Sequence, residues 1–269
     1  MVRTMKSPSF PTIALTAIAL LMPTLKSAYS QTVLDGISWY RVGGGTGSSL
    51  NVSSGSLVYT PASTAATVNI VGYFNPQTIA LGQTITLSLN ITMSQIPNAM
   101  EAVRFGLFNS GGSQVTANSN SFDNAAFAAY QGYSTWFNPA ATSSAYSIRE
   151  RIATNNNAIF AGGSSNNPSL GTVSNATIGL GANIPSTWAL SLTRTEAGLS
   201  LLSTVNGIEL SRVDNISPYF TFDTVAVQFS ANVTGAVTFN SVTVPEPSAA
   251  ILGILGAGFL LMRLRRSRR

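Results

Sequence analysis

The sequence predicts an all-β fold, an antiparallel β-sandwich, over residues 31–243, and three observations carry that expectation. The first is strict two-residue alternation. From Thr84 to Met93, Ile85, Leu87, Leu89, Ile91 and Met93 fall on one side of an extended chain, with hydroxyls and amides on the other. The second is the turn chemistry between such runs, of which Asn206-Gly207 is the strongest hairpin signal. The third is the absence of any sustained helical period. The best helical candidate is the short Ala-rich stretch from Asn124 to Tyr130.

Further strands follow in chain order. Val103, Phe105 and Leu107 repeat the alternation, as do Trp188, Leu190 and Leu192. A turn at Glu196-Ala197-Gly198 leads to Leu199, Leu201 and Ser203, and Asn206-Gly207 then separates that run from Ile208-Glu209-Leu210. Val225, Val227 and Phe229, then Val237, Phe239, Val242 and Val244, supply the last two strands. Apolar residues alternating with Ser and Thr imply antiparallel sheets with one face wet. One continuous pattern without a short repeat favours a single sandwich over a solenoid or propeller.

The charge is unevenly placed. The sequence pI is about 9.8, yet residues 31–244 carry six arginines, no lysine and eight acids, a net −2. The excess of base belongs to the two ends, so no basic stripe is left to neutralise phosphates and nucleic acid is not an expected partner. The chain has no cysteine and no histidine. That removes disulfides, thiol nucleophiles, the Ser-His-Asp triad and the commonest zinc ligands; any metal would have to be a hard cation such as calcium held by oxygen, and no metal site or cofactor is assigned.

Residues 1–30 read as a signal peptide. Arg3 and Lys6 precede a ten-residue apolar core from Ile13 to Met22, and Ala28-Tyr29-Ser30 places small residues where signal peptidase inspects them. Cleavage between Ser30 and Gln31 is expected, because the apolar run is short for an uncleaved anchor. Residues 244–269 form a second unit. Pro245-Glu246-Pro247 comes first, then an apolar stretch over 249–264, about 24 Å as a helix, then Arg263, Arg265, Arg266, Arg268 and Arg269. The arginines place that end in the cytoplasm and the preceding domain outside, with the membrane engaged through the helix.

This tail resembles the PEP-CTERM sorting signal in all three parts and in their order. The resemblance covers roughly the last 26 residues. It implies recognition by an exosortase-type sorting enzyme, removal of the tail near the motif, and delivery from an inner-membrane intermediate to the cell surface or extracellular matrix. The other reading is a plain single-pass anchor that is never processed. A second resemblance, to concanavalin A-like or laminin G-like jelly rolls, rests on residues 50–244. Its features are the Leu81-Gly82-Gln83 turn before the long strand, Arg104-Phe105-Gly106-Leu107-Phe108, the late hairpin, and Phe222 to Val227. It implies a jelly-roll-like sandwich and is compatible with binding extracellular polysaccharide.

Candidate sites are few. Tyr130, Tyr133 and Trp136, with Phe137 and Asn138, cluster in a stretch read as loop-rich, and aromatic faces there would stack on sugar rings or else pack the loop onto the sheet. No catalytic residue is assigned. The Glu-x-Asp-x-x-Glu arrangement of jelly-roll glucanases is absent, and Glu209 and Asp214 are expected to flank a loop. Arg149-Glu150-Arg151 reads as a solvated strand or turn. Gly43 to Gly47 reads as a flexible loop, since no lysine follows to complete a phosphate cradle. Asp123 with Asn120 and Asn124 reads equally as a polar turn or as calcium oxygens. The expected function is that of an exported, non-enzymatic surface or matrix protein. The alternatives are a glycan hydrolase with an unrecognised carboxylate pair, or a purely structural glycosylated envelope protein.

Overall fold

The computed structural model describes residues 31–32, 37–53, 55–62, 66–97, 99, 101–140, 144–153, 156–160 and 165–245. The predicted signal peptide through Ser30 lies outside the described residues. So do Glu246, Pro247, the apolar stretch and the five terminal arginines. Among the described residues no helix is long and apolar enough to cross a membrane.

Among the described residues fifteen strands form two sheets. They are β1 (Gln31–Thr32), β2 (Ser38–Gly43), β3 (Ser49–Ser53), β4 (Ser56–Thr60) and β5 (Val68–Thr78). Next come β6 (Thr84–Met93), β7 (Val103–Asn109), β8 (Gln131–Phe137), β9 (Ser144–Arg151) and β10 (Ser169–Ala176). The last are β11 (Ser186–Thr195), β12 (Gly198–Val205), β13 (Ile208–Asp214), β14 (Thr221–Phe229) and β15 (Val237–Pro245). One sheet has eight strands in the order β13-β12-β11-β6-β15-β4-β3, with β1 on β15, and the other has seven in the order β10-β9-β8-β7-β14-β5-β2. Every strand pairing is antiparallel. The predicted helical stretch is a single 3-10 turn, Ala125–Ala129. The architecture is an antiparallel, jelly-roll-like β-sandwich.

β6 shows how the sequence makes the eight-stranded sheet. Its inward residues Ile85, Leu87, Leu89, Ile91 and Met93 are at most 2% exposed. Its outward hydroxyls pair across to β11, Thr84 with Thr193 at 2.8 Å and Thr86 with Ser191 at 2.9 Å. That sheet has the expected wet face. Between the sheets lies the main core, in which Phe105, Phe137 and Trp188 meet at tilted or edge-on angles.

The seven-stranded sheet departs from the expectation of one wet face. A second core, including Val42, Val71, Tyr73, Phe108, Trp136 and Ala226, covers its outer side. Val115, Phe127, Tyr130, Ile159 and Phe160, from the segments after β7 and β9, close over it. Both faces are therefore dry, and β5, β8 and β14 are buried nearly continuously rather than alternately. The physical reason is that apolar residues occupy both parities of these strands, as in Val68-Asn69-Ile70-Val71, so neither side is left to water.

Candidate functional site

The segment expected to be loop-rich is strand β8, and it does not present its aromatics. Tyr130 and Tyr133 are 0% exposed and Trp136 is 1% exposed. A ring with no accessible face offers a sugar nothing to stack on, so the platform expected at these three residues is corrected to packing. Tyr130 shares a 2.7 Å hydroxyl contact with Tyr73. Tyr133 donates to Asp214 at 2.6 Å and accepts from the Tyr219 amide at 3.0 Å. Burial pushes both phenols up. Trp136 donates from its indole nitrogen to Ser134 Oγ at 2.9 Å.

Other expectations also change. Glu209 and Asp214 lie on one strand, β13, with no loop between them. Arg149-Glu150-Arg151 is strand, one of the two forms expected, but it is not solvated throughout, since Arg151 is fully buried. The glycine loop is tied down at its start, where Gly43 and Gly44 donate to the Ser119 and Thr67 carbonyls. Asn120 accepts from Arg41 at 3.0 Å, and Asn124 caps the 3-10 turn by accepting from Ala126. Those two amides thus serve turn structure, and among the described residues no group of three His, Cys, Asp or Glu is placed to hold a metal ion.

A hollow of about 430 Å³ opens where the outer face of the seven-stranded sheet meets its covering loops. Arg104 and Gln228, from β7 and β14, form part of its wall, with Thr67 and Ser230 beside them. Phe122 and Asp123 come from one loop, and Asn156, Ala158 and Phe160 from another. Phe122 is 41% exposed. It is the aromatic that this part of the molecule offers to solvent, and the sequence reading passed over it. The signal was there: Phe122 stands alone in a polar run, Asn118-Ser119-Asn120-Ser121-Phe122-Asp123-Asn124. A solitary aromatic with only polar neighbours has no local reason to be buried.

The walls of the hollow are held before any ligand arrives. Gln228 donates to Asn69 at 2.8 Å, and Asn69 donates to the Phe122 carbonyl at 3.1 Å. Arg151 donates to the carbonyls of Phe127, Asn156 and Ala158 at 2.9–3.0 Å. Arg104 donates to the Phe160 carbonyl at 2.7 Å. Burial lowers the Arg104 guanidinium to about 10, with Glu101 opposing the shift and Arg149 adding to it, and burial alone lowers Arg151 to about 10. Both remain cations at neutral pH. A second hollow, about 310 Å³, lies on the eight-stranded sheet around Ala189 and is lined by Ser88, Asn90, Thr187, Thr204 and Ser241 without a charged group.

The structure also brings together two acids that are far apart in sequence. Burial lifts the Glu150 carboxyl to about 7, and the charge of Asp214 adds to the lift. Asp214 is itself engaged by the Tyr133 hydroxyl and by the Ile216 amide at 3.1 Å.

No known family model and no curated protein matches the chain. Solved structures of similar fold do exist. The potassium-bound carbohydrate recognition domain of Emp46p is 8% identical, with 78% of this chain and 88% of that one covered and a TM-score of 0.49. Metal-free lectin I-B4 from Griffonia simplicifolia is 10% identical, covering 80% and 98%, at a TM-score of 0.47. A carbohydrate esterase from the Shiga toxin-encoding bacteriophage phi24B is 14% identical, covering 78% and 91%, at a TM-score of 0.42. At these identities and TM-scores the likeness assigns no function.

Proposed function

We propose that this chain is an exported surface or matrix protein that binds extracellular polysaccharide without catalysis, at the hollow beside Phe122. The observation that carries the reading is the composition of that hollow. It combines one exposed aromatic face with a carboxylate, two amides, hydroxyls and a guanidinium, on loops already fixed by buried hydrogen bonds. A sugar ring has an apolar face and a rim of hydroxyls, and those are the groups that match it. Within this proposal the tail sorts the protein, with Pro245-Glu246-Pro247 read by an exosortase-type enzyme after signal peptidase has cut before Gln31.

The test is a panel of polysaccharides offered to the full chain. At least one is expected to bind, and Phe122→Ala is expected to weaken it roughly tenfold, the effect of losing an aromatic anchor. Because Phe122 is exposed, the melting temperature is expected to stay near that of the wild type. Binding unchanged in Phe122→Ala, or no polysaccharide bound at all, overturns the assignment.

A second reading, a glycan hydrolase, is favoured by the interaction of Glu150 with Asp214. Two neighbouring carboxyls, one of them raised by burial, are the kind of pair that acid–base glycoside cleavage uses. Release of reducing ends that vanishes in Glu150→Gln would establish it.

A further inference from the structure

Behind the wall of the Phe122 hollow three arginines cluster, and Arg104 is the one that lines it. Arg104 and Arg149 both pack on the Trp136 indole, their guanidinium carbons 4.0 and 4.2 Å from its ring centre. Arg151 follows on β9, fully buried, and donates to neutral carbonyls. One carboxylate serves the group: Glu101 is 2.8 Å from Arg149 and 3.9 Å from Arg104. Among the described residues Glu101 is thus the one carboxylate ion-paired with this group, in a largely desolvated place. The buried Nε atoms of Arg149 and Arg151 have no hydrogen-bond partner. An uncompensated charge in such surroundings is unfavourable, and an added anion relieves it.

Arg104 is the member of the group that reaches the hollow. Its Nε and Nη1 atoms donate to the carbonyls of Glu101 and Phe160. Its Nη2 has Glu101 only at 3.9 Å, outside hydrogen-bond range. We propose that the hollow selects acidic saccharides, a uronate carboxylate docking on Arg104 Nη2 while the sugar ring lies against Phe122. This rests on the polysaccharide reading above and narrows its substrate class. Asp123 at the rim has the opposite sign, but it is exposed, so water and salt weaken its effect, whereas Arg104 acts from a less solvated wall.

The experiment compares polygalacturonate and alginate with amylose and dextran on the full chain, at low and at moderate salt. Polyuronates are expected to bind roughly tenfold or more tightly at low salt, with the advantage shrinking as salt rises. Asp123→Asn is expected to raise the ratio of polyuronate to neutral-glucan affinity severalfold, while Arg104→Gln removes the preference. Arg104 also packs on Trp136, so its variant is read only where the melting transition is intact; Asp123→Asn, at an exposed site, decides otherwise. Equal binding of neutral and acidic chains, or no response to Asp123→Asn, overturns the acidic selectivity and leaves polysaccharide binding standing. Binding of neither class overturns both.

Discussion

At the scale of the residue, the domain's preference for arginine over lysine has a structural cause. All six arginines of the domain direct guanidinium nitrogens at backbone carbonyls. Arg41 reaches Gly43 and Ser119, Arg104 reaches Glu101 and Phe160, and Arg149 reaches Asn167. Arg151 reaches three carbonyls, Arg194 reaches Ile79, and Arg212 reaches Ser211. A planar fork with five donors can hold several loop carbonyls at once and keep its charge when buried; an ammonium does neither as well. Glu150 is the residue with a pH consequence. Its folded carboxyl sits at about 7 against an ordinary 4.5, so the folded state binds more protons than the unfolded one between those values. Stability therefore falls as pH rises through that window and is level above it. The melting temperature is expected to decline between about pH 5 and pH 7.5. Glu150→Gln is expected to flatten the profile and to melt higher than wild type at the alkaline end. A wild-type profile that rises with pH would contradict this placement of Glu150.

At the scale of the element, two glycines separate two kinds of constraint. β12 and β13 are joined by Asn206-Gly207 alone, with Val205 paired to Ile208, and the two loop residues have φ of 48° and 82°. That is the left-handed pair a two-residue hairpin needs. A Cβ on Gly207 would meet nothing within 4 Å, so Gly207→Ala costs backbone strain only, about 1 kcal/mol. Gly106, in the middle of β7, has no such φ, yet a Cβ there would lie 2.2 Å from the Tyr133 carbonyl oxygen on β8. Gly106→Ala is expected to destabilise the domain clearly more than Gly207→Ala, as read from urea unfolding midpoints. The reverse order would mean that the β7–β8 contact yields more easily than the turn. A related device recurs at the two fully buried tryptophans. Ser134-Thr135-Trp136 and Ser186-Thr187-Trp188 each place a serine two residues before the ring, on the same strand face, and each Ser Oγ accepts the indole proton at 2.9 Å. A buried N–H is thereby satisfied locally.

At the scale of the whole molecule, the last strand runs to the edge of the proposed sorting motif. Val244, which the sequence places both in the last strand and at the start of the tail, is buried in the sandwich core, and β15 extends to Pro245, where β1 pairs with it through Gln31. Proline has no N–H to donate, which suits it to the end of a ladder. Within our proposal a sorting enzyme reads the residues that follow, so Glu246→Ala is expected to leave full-length protein in the inner membrane. The wild type is expected to lose its arginine-bearing tail and reach the outer envelope or medium. A passive anchor would respond little to the change, since its insertion depends on apolar length and flanking arginines. Identical size and fractionation of the two proteins in the native host would identify a plain anchor.

Local pattern was enough for the sandwich and for its clearest strands. β6 begins and ends where its alternation does, and the Asn206-Gly207 hairpin falls where its two residues require, because alternation and turn conformation act between neighbours in the chain. The site was not legible in the same way. Tyr130, Tyr133 and Trp136 resemble a binding surface until the segments after β7 and β9 close a second core over the outer sheet face. Phe122 becomes the exposed ring because Asn69 and Gln228, from two other strands, fix its loop. Arg104 and Arg149 come to share Glu101, with Arg151 beside them, only when β7 and β9 flank β8. Strand character is a property of the chain's own period; burial, charge balance and the shape of a hollow depend on which distant segments meet, and tertiary structure alone decides that.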